Sequence, residues 1–316
     1  MGRRRLEISR GGPAEEFLGS ALILVSAVAF GFLPIFARLA YSVGAGVWEL
    51  LFVRFAMAFA LLGVALAVKG RLHIPDRRCV AILLLLGGVG YFLQSTLYFS
   101  ALIYAPVSVV SLILYTYPAL VTAASFLLGL ERPSGTVLLN LAAAMCGIVL
   151  VADPVFEGAS TGVLLALGAA LVYTCYIIVS SRVLKEVSGE LATFFVLGGA
   201  TASFGMLGAV GGFFAFWCGL SAWLWATAIS LVSTVLALTL FFKGLSLVGP
   251  SKASILSTAE VATSVIAATI IFEEGLSPTQ VGGGVLIIAA AISSAVSGIR
   301  RRREKLPRQF KNKKHA

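Results

Sequence analysis

The residue whose position most constrains the chemistry of this chain is Glu260. It lies near the middle of ILSTAEVATSVIAATIIFEE, residues 255–274, an apolar run of membrane length. An ionisable side chain at the centre of a bilayer costs at least ~2.5 kcal/mol and by default faces a protein interior or a watery cavity, where it marks a functional site. A carboxylate held there can bind a proton, a cationic group of a solute, or each in turn. Ser257 lies three residues before Glu260, Thr263 three after and Ser264 four after, so on one helix they form a single polar stripe. Other apolar runs carry polar residues at the same spacing. Gln94 and Tyr98 are four apart with Tyr91 three before Gln94, Tyr115 and Tyr117 stand beside Pro118, and Tyr173 and Tyr176 are three apart. These side chains either line one cavity or hydrogen-bond between helices.

Arg54 is the second charge inside an apolar run, six residues from one end. At ~1.5 Å per residue its backbone and that of Glu260 differ in depth by several ångströms across a ~30 Å hydrocarbon core, so the two are a candidate ion pair. The competing reading is an arginine that reaches water at the interface. Arg38 and Lys243, near run ends, are expected to snorkel to the headgroups.

Bond-breaking chemistry would need a nucleophile beside a base, or a metal cluster. The runs offer one central carboxylate and no histidine, since His73 and His315 fall in a loop and a tail. Cys79, Cys146, Cys175 and Cys218 lack the paired spacing of a zinc site. No G-x-x-x-x-G-K-[ST] nucleotide loop occurs. No catalytic residue, metal or cofactor is therefore expected.

The elements that must position these residues are membrane helices. Of 316 residues, 59% are hydrophobic and 12% charged, about half the ~25% charged fraction of a soluble domain. Ten runs are long enough to span a bilayer, near residues 17–41, 48–68, 79–102, 108–129, 135–152, 161–181, 191–216, 222–245, 251–272 and 278–298. The first is expected to be a span and not a cleaved signal, being too long and lacking a small-residue cleavage site. A net charge of +10 does not point to nucleic acid, because the basic residues gather in the tails and in alternate loops. Arg3 to Arg5, Lys69 to Arg78, Arg132, Arg182, Lys185 and RRRREKLPRQFKNKK at the end fall on one side, whereas SVGAGV, IYAPV, DPVFEGAS, WCGLS and EGLS contain no Lys or Arg. The positive-inside rule then puts both termini in the cytoplasm, with the lipid surface as partner of the tail.

Offset by about 143 residues, the chain repeats weakly, with YFSALIYAPVSVVSLILYTYP paralleling FFKGLSLVGPSKASILSTAEV and ERPS paralleling EGLS. Five spans per half reverse the second half's orientation, giving inverted repeats of the kind found in secondary transporters. The expected organisation is a tail at 1–16, a five-helix repeat at 17–152, an external linker at 153–160, a second repeat at 161–298 and a basic tail at 299–316.

With these features the chain resembles the EamA type of the drug/metabolite transporter superfamily over nearly all of residues 17–298. The resemblance rests on the five-plus-five order, on LFVRFAMAFAL, YFSALIYAPVSVVSLILYTYPALV and LERPS, and on STAEVATSVIAATIIFEEGLS in the ninth span. It implies an all-α membrane fold and a secondary active or facilitative transporter of small organic solutes. Amino acids or related metabolites would be exported by alternating access through a cavity lined by spans one, three, four, six, eight and nine. Protons are the candidate coupling ion, the cytoplasmic membrane the site in a bacterium, and a homodimer through the glycine-rich tenth span a further expectation. Relatives often carry Glu-Pro where this chain has Glu260 and Val261, so a proline kink is not carried over to the ninth helix. The first-half counterpart, Tyr117 and Pro118, keeps the proline as a helix break. An intramembrane lipid-modifying enzyme and a non-transporting scaffold are the alternatives from other classes.

Overall fold

A computed structural model describes residues 13–105, 110, 113–131, 134–152, 160–212, 219–273 and 277–305. Every regular element among them is helical. In chain order these are α1 (Pro13–Gly31), α2 (Leu33–Ser42), α3 (Val47–Val68), α4 (Arg77–Leu85), a π-helical segment (Leu86–Tyr91) and α5 (Phe92–Tyr104). Then come α6 (Tyr117–Leu127), α7 (Gly135–Ala152), α8 (Ser160–Val183), α9 (Gly189–Gly211) and α10 (Leu220–Ser230). A second π-helical segment (Leu231–Leu236), α11 (Ala237–Val248), α12 (Pro250–Ser257), α13 (Ala259–Phe272) and α14 (Pro278–Lys305) follow among the described residues. Among the described residues, eight helical stretches, several of them joining consecutive elements, are long and apolar enough to cross a membrane, and Tyr117–Leu127 and Gly135–Val151 are shorter apolar helices. The fourth span expected from sequence lies partly outside the described residues, as do the linker at 153–160 (Ser160 excepted) and most of both tails.

Local chemistry sets the helix ends. Asp76 caps α4 by accepting from the Arg78 amide (3.1 Å), and Ser188 caps α9 by accepting from Leu191 (3.4 Å), each satisfying a donor the helix cannot. Within the first span the helix is interrupted at Phe32, because Pro34 enters as the second residue of α2 and cannot donate to the preceding turn.

The two halves interleave in one core, which runs from Ile23 on α1 to Ala291 on α14. α1 packs on α11, α12, α13 and α14, while α9 packs on α3, α4 and the first π segment. A close crossing joins α7 to α14. A Cβ on Gly147 would stand 2.7 Å from the Gly283 carbonyl, and one on Gly283 2.5 Å from that of Gly147. The middle glycine of the GGG at 282–284 thus serves packing within the chain, whereas Gly282 and Gly284 face open space.

At the end carrying the basic loops, three polar ties close the bundle. Lys252 meets Glu16 at 3.0 Å and the Ala295 carbonyl at 3.4 Å, joining α12, α1 and α14. Glu190 holds Lys243 at 2.5 Å and Arg71 at 3.4 Å, so Lys243 is paired where snorkelling was expected. The Glu131 carboxylate accepts from the Ser251 amide (3.1 Å) in the first turn of α12. Gly249 makes room for it: its φ of 83° suits glycine, and a Cβ there would collide with the Glu131 oxygen. All eight residues of α12 are buried, but only Ala262 and Ala267 of α13.

Candidate functional site

Glu260 stands in the first turn of α13, immediately after a break in the ninth span at Thr258. No proline makes this break. The Thr258 amide and hydroxyl both bond the Ile255 carbonyl (3.2 and 2.7 Å), and the Val261 amide returns to Thr258 (3.0 Å). These three-residue loops tighten the chain and release the α-helical ladder. The fourth span has the same device: the Thr116 amide and hydroxyl bond Ile113 (3.1 and 2.7 Å), and Ala119 returns to Thr116 (3.0 Å). Pro118 is the second residue of the helix that follows. Both breaks carry the string Ile-Leu-x-Thr, at 113–116 and 255–258, so Glu260 stands opposite Pro118 and not Tyr117. A carboxylate in a first turn is favoured by the exposed amides and the helix dipole.

Around Glu260 the expected tyrosines assemble. The Tyr115 hydroxyl lies beside its carboxylate and interacts with it electrostatically. Tyr117 lies within electrostatic reach of Glu260 and near Ser257, whose hydroxyl donates to the Ala253 carbonyl (2.9 Å). The Tyr117 ring lies 6.1 Å from Tyr115 and edge-on to Tyr173 at 4.8 Å, Tyr173 stacks on Tyr176 at 5.9 Å, and Tyr176 meets Tyr91 at 5.6 Å. The result is a continuous aromatic wall from the ninth-span break to Arg54.

Arg54, 4% exposed, is clamped between the two π segments. Its Nε donates to Thr234 Oγ1 (2.7 Å), and Nη2 to the Tyr91 hydroxyl (3.2 Å) and the Ser233 carbonyl (3.5 Å). The guanidinium also lies 4.9 Å over the Phe55 ring. It is not an interfacial anchor. It acts on Glu260 electrostatically across the site, and no ion-pair contact joins the two among the described residues. The π segments explain the clamp, since a wider turn displaces Tyr91 and Thr234 from an α-helical register; such bulges recur at functional sites.

The remaining candidates are placed differently. Ser264 donates to the carbonyls of Gly31 (2.9 Å) and Glu260 (3.0 Å), bracing α13 against the break between α1 and α2. Tyr98 packs edge-on to Phe99 at 5.6 Å and lies within electrostatic reach of Tyr115 and Tyr41. Gln94, half-buried on α5, accepts from the Ser95 hydroxyl (3.4 Å), and no described interaction links it to Glu260. Arg38 lies 4.1 Å over the Phe272 ring. Sequence reasoning missed Ser233, Thr234, Tyr41 and Pro34. Ser230, Ser233 and Thr234 sit three and four apart, the spacing that singled out Ser257 and Ser264 and could have found them. No group of three or more His, Cys, Asp or Glu among the described residues could hold a metal ion.

The sequence model of the EamA-like transporter family matches residues 17–152 and again 160–295. The chain belongs to the EamA-like transporter family. It is thus a multi-pass membrane transporter built of two copies of the EamA unit. It is similar to an uncharacterized transporter of Archaeoglobus fulgidus, 30% identical over 279 residues that cover 87% of this chain and 95% of the relative. A solved crystal structure shares its fold with a TM-score of 0.75 at 18% identity, covering 89% of this chain and 98% of that one.

Proposed function

We propose that this EamA-like transporter exports small organic solutes, amino acids or related metabolites, by alternating access around Glu260. The observation that carries the reading is the pairing of Glu260 and Arg54 as opposed charges at two ends of one tyrosine wall, each set by a helix irregularity. A solute's ammonium group meets Glu260 and Tyr115, and its carboxylate faces Arg54. The ties of Glu16, Glu131 and Glu190 make this a state closed at the basic end. Rocking of one repeat against the other breaks them and opens that side. Gln94 and Tyr98 line the path toward the opposite end.

The reading includes ten spans in two inverted halves divided near residues 153–160, with both termini in the cytoplasm. It places the protein in the cytoplasmic membrane of a bacterial host, with protons as the coupling ion exchanged at Glu260. The open face of Gly282 and Gly284 is the surface for a homodimer. Because nothing described sets a nucleophile beside a base, the reading involves no enzymatic step and no cofactor.

The test is uptake of a labelled panel of amino acids and metabolites into sealed vesicles holding the purified protein, with and without a pH gradient. Gradient-dependent flux of a zwitterionic member is expected. Absence of any flux, with turnover of a lipid by the protein in detergent, would instead favour the enzyme reading.

A further inference from the structure

A second feature lies on the outer surface of the bundle, behind the tyrosine wall. Between the third and sixth spans runs a groove of ≈ 550 Å³ lined by Ile82, Leu85, Leu86, Val89, Gly90, Leu93, Leu171, Val172, Cys175, Tyr176 and Val179. The wide first π segment shapes it, and Gly90 contributes no side chain there: a Cβ at Gly90 would already touch the Tyr176 ring at 3.4 Å. Tyr176 is its floor, 2% exposed, with a hydroxyl that has no hydrogen-bond partner.

Two stripes of outward-facing residues form the rails. On one helix they are Leu85, Val89 and Leu93; on the other Leu171, Cys175 and Val179. Continued to the basic end, the first stripe reaches Arg78 and the second Arg182, both exposed and neither in an ion pair among the described residues. From Ile82 to Leu93 the groove rises roughly 16 Å at ~1.5 Å per residue, half of a ~30 Å hydrocarbon core. An apolar trough one leaflet deep with two cations at its headgroup end matches one ligand chemistry.

We propose that this groove is a binding site for a single phospholipid with an anionic headgroup from the leaflet on the basic side. One acyl chain lies along Leu85, Val89 and Cys175, and the phosphate sits between Arg78 and Arg182. The proposal rests on the chain spanning a membrane and not on the solute it carries. Tyr176 links the site to the tyrosine wall, since its ring separates the acyl chain from Tyr173 and Tyr91.

The test is native mass spectrometry of the full chain released from detergent with equal amounts of phosphatidylglycerol and phosphatidylcholine of matched chains. Retention of one phosphatidylglycerol per protomer in preference to phosphatidylcholine is expected. Each basic side chain at an anionic surface contributes about a factor of five, so Arg78→Gln with Arg182→Gln should lower that retention about 25-fold. Cys175→Trp, which fills the groove from an exposed position, should abolish it while the melting temperature is unchanged. Equal retention of the two lipids by the unaltered chain would overturn the proposal, as would retention unaffected by either variant. A dimer that Cys175→Trp dissociates without changing lipid retention would assign the groove to a second copy and overturn it equally.

Discussion

Glu131→Gln is the most direct probe of the proposed closure at the basic end. The carboxylate, 8% exposed, accepts from Ser251 in the first turn of α12 at 3.1 Å. A hydrogen bond to a charged group contributes about 1.5–3 kcal/mol, and a partly buried carboxylate at a helix N-terminus gains up to ~2 kcal/mol from the dipole. Glutamine keeps the volume and an acceptor oxygen but loses the charge, so the closed state should weaken by about 1–2 kcal/mol. Because the bond ties the end of α6 to α12, a state opened at this end lacks it in any case. The population of that state should then rise about 5- to 30-fold, at tenfold per 1.4 kcal/mol. Ser254, fully buried in α12, reports the opening when changed to Cys in a background where Cys79, Cys146, Cys175 and Cys218 are Ala. Its labelling by an impermeant maleimide from the basic side should accelerate by the same factor. An unchanged rate in Glu131→Gln, with an unchanged melting temperature, would refute the assignment of this bond to closure.

The α7–α14 crossing should separate two adjacent glycines. Gly283→Val drives methyls into the Gly147 carbonyl and should cost at least about 1–3 kcal/mol, seen as a lower melting temperature, whereas Gly282→Val should leave it unchanged. Arg54→Lys keeps the charge but cannot reach Thr234, Tyr91 and Ser233 together, so vesicle flux should fall about tenfold or more; wild-type flux would mean the clamp is not required. Gln94→Trp should block flux in a protein that melts normally, and undiminished flux would remove α5 from the solute path.

Composition and run length were enough to read an all-helical membrane chain, and five-plus-five punctuation was enough to read the duplication, because both follow from the bilayer's demand for apolar spans. The cluster of Glu260, Tyr115, Tyr117, Ser257 and Tyr173 was legible for the same reason: polar residues in apolar runs converge where they can bond one another. The π segments were not legible, since their LGGVGY and LVSTVL strings differ in everything but apolar character, and a π turn is a tertiary accommodation and not a propensity. The break at Thr258 was missed because proline was taken as the agent of helix breaking. A threonine hydroxyl bonding back three residues does the same work, and its string Ile-Leu-x-Thr was in view in both halves. Arg54 was read by depth alone, which cannot distinguish a partner at Glu260 from partners on two neighbouring π segments.

The measurement that tests the central claim most directly compares Glu260→Gln with the unaltered protein in reconstituted vesicles, recording flux of a transported zwitterion across pH and under inward and outward proton gradients. Glutamine retains the size and shape of the side chain, so folding and the tyrosine wall should persist. The account predicts that net flux falls and that its dependence on pH and on the gradient is lost. A Glu260→Gln variant matching the unaltered protein in affinity, rate and pH profile would show that the carboxylate is structural and contradict the account.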